Sequence, residues 1–118
     1  MGNSSSLLKL IFEGILERKG KEVVNIDLGR LEYAACDNFI ICHGDSVTHV
    51  RALADSVEEK LEEKLKLKVA HREGVENAQW ILLDYGTAVV HIFLKEARDY
   101  YKLEDLWGDA EITMIQDE

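Results

Sequence analysis

The sequence is short of three things: cysteine, long apolar runs and positive charge. Its two cysteines, Cys36 and Cys42, are too few for a disulfide framework, and their spacing fits neither a zinc knuckle nor a redox pair. They read as free thiols of a reducing cytoplasm. No apolar stretch approaches the ~20 residues that a membrane-spanning helix needs. The N-terminus carries no secretory core and no Arg-rich transit segment, so a cytoplasmic protein without a membrane partner is expected. Lys and Arg number 14 against 23 Asp and Glu, a formal charge of -9, and the basic residues form no cluster. Phosphate binding needs such clusters, so direct DNA binding is excluded and little or no direct RNA contact is expected. An acidic surface suits a basic protein partner, where field complementarity speeds encounter.

Metal-ligating and nucleophilic patterns are equally scarce. His43, His49, His71 and His91 form no close ligand pair, so neither a metal nor another cofactor is expected. Ser46 and His49 sit one helical turn apart, but this is capping geometry, and no orienting acid or oxyanion site is legible beside them. Gly44-Asp45-Ser46 stands between a strand and a helix N-terminus, where backbone N–H groups can hold an anion. Two-metal phosphoryl transfer would also need paired carboxylates nearby. The strand that follows offers Lys66, Lys68, His71 and Arg72, with Glu73 alone at its end. Glycine plus an N-cap accounts for the corner, and no catalytic residue is assigned.

What is present is an ordinary globular composition, 47% hydrophobic with 8% aromatic residues, over 118 residues. That length fits one domain that buries roughly two thirds of its unfolded surface. Met1-Gly2-Asn3-Ser4-Ser5-Ser6 matches a myristoylation pattern and Asn3-Ser4-Ser5 a glycosylation acceptor. Both patterns are short, and no polybasic second signal accompanies them. Residues 1–6 read as a flexible tail in which Ser6 caps a helix. Leu8, Ile11, Phe12, Ile15 and Leu16 share one face of that helix, and Lys19-Gly20 stops it, with the glycine in the left-handed position. A strand over 22–27, a loop over 28–37 and a central strand at Phe39-Ile40-Ile41-Cys42 follow. The longest helix repeats Val50, Leu53, Val57, Leu61 and Leu65 inward, with a solvated charged face at 58–60 and 62–64. A weaker strand is expected over 66–72. Trp80 to Asp84 and Ala88 to Leu94 read as a hairpin around Tyr85-Gly86-Thr87. Short helical stretches near 95–98 and 103–107 follow, and 111–118 reads as a C-terminal tail. The expected fold is one α/β domain over 7–110, a mixed sheet of about five strands flanked by helices.

The aromatics are unevenly placed. Trp80, Tyr85, Phe93, Tyr100, Tyr101 and Trp107 crowd the last third of the chain, interleaved with Asp84, His91 and Arg98. Hairpin and helix packing would take about half of them into the core. Tyr100 and Tyr101 are adjacent, so one should face out. Trp80, Leu82 and Asp84 share one strand face. A surface mixing Trp, Tyr and Arg has the composition of an interface hot spot, and such a patch could also pair with itself in a homodimer.

Asp37-Asn38-Phe39-Ile40-Ile41, Gly44-Asp45-Ser46 and His49-Val50-Arg51-Ala52-Leu53-Ala54 resemble the first signature of the ribosomal silencing factor family, also called the RsfS or Iojap family. Glu73-Gly74, Trp80-Ile81-Leu82-Leu83-Asp84-Tyr85-Gly86 and Val89-Val90-His91-Ile92-Phe93 resemble its second. Arg98, Tyr100-Tyr101, Leu103-Glu104 and Leu106-Trp107 complete it. The resemblance implies a nucleotidyltransferase-like fold without catalytic carboxylates. It also implies binding to the fourteenth protein of the large ribosomal subunit, blocked joining of the small subunit, and translation repressed under nutrient limitation. Organellar relatives imply an alternative, large-subunit assembly, and a degenerate nucleotidyltransferase-fold enzyme is a third reading. Carried onto matching positions, the partner surface would use Trp80, Leu82, Asp84, His91, Phe93, Arg98, Tyr101, Leu103 and Trp107. Two departures stand out: Asn38 replaces a usual aromatic, and Thr87 a frequent acid after the hairpin glycine.

Overall fold

The computed structural model describes residues 2–29, 36–107 and 110–115, except the side chains of residues 2–5 and of Trp107. The chain runs α1 (Gly2–Glu17), β1 (Lys21–Asp27), β2 (Asn38–Gly44), α2 (Val47–Leu65), β3 (His71–Glu73), β4 (Trp80–Asp84), β5 (Ala88–Leu94), α3 (Lys95–Tyr101), a 3-10 turn η1 (Leu103–Trp107) and β6 (Glu111–Ile115). The strands form one six-stranded sheet in the order β3-β4-β5-β2-β1-β6. Only β2 and β5 are parallel; the other neighbours are antiparallel.

Helices α1 and α2 cover one face. Leu7, Ile11 and Ile15 recur every fourth residue and bury a stripe of α1, while Val50, Leu53, Val57 and Leu61 do the same on α2. They pack on Ile40 and Cys42 of β2, Ile81 and Leu83 of β4, and Val90 and Ile92 of β5. The two helices approach closely at Gly14, where a Cβ would stand 3.1 Å from the Val57 Cα. Ser56 Oγ donates to the Gly14 carbonyl at 2.7 Å in the same crossing, so the one buried hydroxyl there is paired. As expected of a central strand, Ile40 and Ile41 are both fully buried although they point to opposite faces.

The helix termini show which local signals won. Helix α1 already runs at Gly2, so Ser6 lies inside it and residues 2–6 are not a tail. A serine cap is worth about 1 kcal/mol, whereas a nucleated helix gains a hydrogen bond with each added residue. Lys19 N–H donates to the Leu16 carbonyl and Gly20 N–H to the Ile15 carbonyl, both at 3.0 Å, closing a Schellman motif. Its left-handed residue is Lys19 (φ 63), not Gly20. Gly20 is required for space instead, because a Cβ would fall 2.3 Å from Ile15 Cγ2. Ser46 caps α2 as expected, its Oγ accepting from His49 N–H at 3.1 Å. At the other end Lys66 turns left-handed (φ 55) and the helix stops, which leaves Leu65 39% exposed rather than inward.

Three further expectations are corrected. The strand expected over 66–72 begins only at His71. Its partner β4 ends at Asp84, opposite His71, and then turns into the hairpin, so residues 66–69 have no strand to pair with. Leu67 and Val69 still pack against the helix-covered core. Residues 111–115, expected in a C-terminal tail, form β6 and raise the sheet from about five strands to six. Ile112 and Met114 alternate with polar residues and pair with Ile26 and Val24, so β6 shields what would otherwise be an apolar edge. Within 103–107 the chain forms a 3-10 turn. The loop expected over 28–37 lies partly outside the described residues, as do Met1 and the last three residues of the chain.

Candidate functional site

The face opposite α1 and α2 is where the sequence concentrated its aromatics. Period-two alternation along β4 sends Ile81 and Leu83 to the helix-covered core and Trp80, Leu82 and Asp84 to the other side. Ladder register then fixes their neighbours: Trp80 opposes Phe93, Leu82 opposes His91, and Asp84 opposes Val89. The parallel β2 brings Phe39 beside Val89, Ile41 beside His91 and His43 beside Phe93. Gly74 makes the entry to β4, with φ +82 and a hypothetical Cβ 2.0 Å from the Trp80 carbonyl oxygen, so only glycine fits. Gly86 (φ +90) makes the hairpin turn, and its N–H donates to Asp84 Oδ1 at 2.8 Å. The Asp84 carboxylate therefore braces the turn from this face.

After β5 the chain turns back as α3 and η1 and partly covers the same face. The Tyr101 ring centroid lies 5.0 Å from that of Trp80 and 6.5 Å from that of Phe93. Trp80 and Phe93 lie 4.8 Å apart, and Tyr100 meets Tyr101 edge-on at 5.0 Å. Leu103 packs with Val24, Ile26, Ile41 and Phe93 beneath η1.

Arg98 holds this cover in place. Its Nε and Nη2 donate to Glu104 Oε2 at 3.1 and 2.6 Å, and its Nη1 reaches the Lys21 carbonyl at 3.4 Å. Nη1 also lies 3.0 Å from His43 Nδ1. Burial first, and then the Arg98 charge, lower the His43 pKa, so His43 is neutral and accepts this bond. On the same face Trp80 Nε1–H donates to His91 Nδ1 at 3.0 Å. Burial pushes the His91 pKa down to about 4, which keeps that acceptor available at neutral pH.

The expected site residues thus converge, but at different depths. Trp80, Leu82 and Asp84 are half-buried and Tyr101 is 51% exposed. His91, Phe93, Arg98 and Leu103 are buried beneath them, so a partner approaching this face would not meet their side chains first. Arg98 in particular is interior, because its guanidinium finds Glu104, His43 and a backbone carbonyl within the chain. The side chain of Trp107 lies outside the described residues. Two exposed residues lie outside the expected set: Tyr100, 80% exposed, and Leu106, 72% exposed. The Tyr-Tyr pair required one ring to face out; that both do follows from α3 lying at the rim. Leu106 lay within the family signature, but nothing in its local pattern marked it as exposed.

The alternative chemical sites resolve into structural roles. His49 Nδ1 accepts from Asp45 N–H at 3.0 Å, and its Nε2 lies 2.7 Å from the Arg18 carbonyl, to which it donates. Both ring nitrogens are occupied in tying the end of α1 to the start of α2, so His49 is not poised to deprotonate Ser46. Cys36 and Cys42 are free thiols, and burial pushes Cys42 up to about 12. Among the described residues, no group of three His, Cys, Asp or Glu could hold a metal ion, and no helix is long and apolar enough to cross a membrane.

A mixed sheet backed by two helices on one face, with an aromatic cluster under a short α3–η1 cover on the other, defines the class: a two-layer α/β domain with one partly open sheet face. Comparison with known proteins makes it particular. Residues 2–118 match the family described as "Ribosomal silencing factor during starvation", and the chain belongs to that family. It is 36% identical over 111 residues to the "Ribosomal silencing factor RsfS" of Bacillus subtilis, covering 94% of this chain and 92% of that protein. A crystal structure from Chromobacterium violaceum superimposes with a TM-score of 0.83 at 35% identity, covering 96% of this chain and 92% of that one. A mouse protein, "Mitochondrial assembly of ribosomal large subunit protein 1", is 34% identical over 74 residues, 60% of this chain and 32% of its own length.

Proposed function

We propose that this chain acts in the cytoplasm by binding rather than by catalysis. It docks on the large ribosomal subunit through that subunit's fourteenth protein and blocks joining of the small subunit, repressing translation under nutrient limitation. The observation that carries this reading is the apolar rim of the open sheet face, the half-buried Trp80 with the exposed Tyr100, Tyr101 and Leu106, on a member of the ribosomal silencing factor family. Exposed aromatics resting on a rigid, fully packed sheet are the usual anchors of protein interfaces, because little conformational entropy is lost when they dock. The formal charge of -9 favours approach to a basic ribosomal protein. Co-sedimentation with separated subunits tests it: the protein should pellet with the large subunit and not with the small one. Pelleting with neither, at micromolar protein, would refute the reading.

A role in large-subunit assembly is the second reading, favoured by the name of the mouse relative. It differs in what is bound. An assembly factor should bind immature large-subunit particles and release mature ones, whereas a joining block requires mature subunits to be held.

A further inference from the structure

We propose that His91 is a positioning residue for partner capture: its Nδ1 fixes the Trp80 indole in the orientation presented at the docking face, while His91 itself stays out of reach of the partner. This rests on the docking reading above. His91 is 4% exposed, and its imidazole is set edge-on against Phe39 with ring centroids 4.6 Å apart. Trp80 lies on the neighbouring strand, diagonal to it, and donates its indole N–H to Nδ1 at 3.0 Å. The ring contacts of Trp80, to Phe93 at 4.8 Å and Tyr101 at 5.0 Å, hold the indole by dispersion, which depends weakly on rotation of the ring. The hydrogen bond is directional and selects one rotation.

The other nitrogen of His91 strengthens the assignment. With Nδ1 accepting, the ring proton sits on Nε2, and that atom is buried with no hydrogen-bond partner among the described residues. A buried donor left unpaired destabilises a fold. A phenylalanine would fill the same space without that penalty, so the distinctive contribution of an imidazole here is its acceptor. A pre-oriented indole loses less freedom on docking, which is how a residue that never touches the partner alters affinity.

The test uses purified large ribosomal subunits and variants of the full chain. His91→Phe removes the acceptor and keeps a ring; His91→Asn restores an acceptor near the Nδ1 position. His91→Phe should weaken binding about 5- to 10-fold, the worth of one hydrogen bond, and His91→Asn should recover most of it. In a Trp80→Phe background, His91→Phe should cost nothing further, since its effect passes through the indole. In nitrogen-edited NMR, the Trp80 indole resonance, identified by its absence in Trp80→Phe, should lose its hydrogen-bonded shift and exchange protection in His91→Phe. Site-specific replacement of Trp80 by benzothienylalanine, an isosteric ring without the N–H, gives the same loss of affinity however well His91→Phe folds. If Trp80→Ala weakens binding but His91→Phe and the benzothienyl ring do not, His91 has no positioning role. An equal His91→Phe loss in the Trp80→Phe background overturns the proposal as well. If neither Trp80→Ala nor Tyr101→Ala affects binding, the docking reading fails, and this proposal fails with it.

Discussion

Replacing Tyr101 with alanine separates docking from folding, because the structure sets the two costs apart. The ring is 51% exposed, rests on Trp80 and Phe93, and meets the exposed Tyr100 edge-on. Half of an aromatic burial is worth about 1 kcal/mol, and the loss of its ring contacts adds roughly another 0.5–1.5 kcal/mol. A fall in stability of about 2 kcal/mol should lower the melting temperature by roughly 5–10 °C in a domain of this size. As an interface anchor, the same ring should contribute about 2–4 kcal/mol to binding, or roughly 30- to 1,000-fold in Kd. Phe93→Ala is the opposite case. Phe93 is fully buried, so truncation should cost about 3–5 kcal/mol of stability. Binding of the fraction still folded should fall less. Urea denaturation and titration of large subunits with labelled protein, both at 25 °C, give the two numbers for each variant. Tyr101→Ala binding within about twofold of the parent, with stability reduced as stated, would show that the rim is packing and not interface.

Other consequences follow from the same geometry. The folded-state His91 pKa is about 4 against an ordinary 6.5, so between those values the unfolded chain binds more protons. Its contribution should therefore erode stability as pH falls from 6.5 towards 4, by about 3 kcal/mol in all. His43, lowered in the same direction, adds to the loss. Urea midpoints measured across that range should fall more steeply towards pH 4 in the parent than in His91→Phe, and parallel curves would refute the account. Gly74→Ala puts a Cβ 2.0 Å from the Trp80 carbonyl oxygen at φ +82, so it should cost more than about 2 kcal/mol and disturb the start of β4. Circular dichroism melts and the Trp80 emission wavelength read both effects. Glu62→Ala, on the exposed face of α2, should change stability by less than about 0.5 kcal/mol and leave binding intact. If it weakens docking more than Tyr101→Ala, the interface lies on the helical face.

How much of this was legible in the sequence depended on whether a signal was local. The 3.6-residue repeat of Val50, Leu53, Val57 and Leu61, the Ser46 cap and the hairpin around Gly86 are fixed by a few adjacent residues, and all three formed as read. β6 was missed because the alternation of Ile112 and Met114 gains meaning only beside Ile26 and Val24, far away in the chain. The strand expected over 66–72 was over-extended for the converse reason: its alternation was real, but β4 supplied no partner before Asp84. At the candidate site, the residues carried over by the resemblance, Trp107 aside, lie on or beneath one sheet face. The resemblance could not order them in depth. Arg98 looks like an interface arginine until Glu104 and His43 are seen to enclose it, and those contacts depend on how α3 folds back over the sheet.

Light scattering of subunit association tests the central claim most directly. Small subunits are mixed with large subunits that have been pre-incubated with increasing protein, in parallel with the Tyr101→Ala variant. Steric occupation of the joining face predicts a dose-dependent fall in the association amplitude that saturates with large-subunit binding. Excess small subunit should reverse the fall, and the curve should shift to higher concentration by the same factor as the variant's loss of affinity. Undiminished association at concentrations that saturate the large subunit would contradict the joining block and favour the assembly reading.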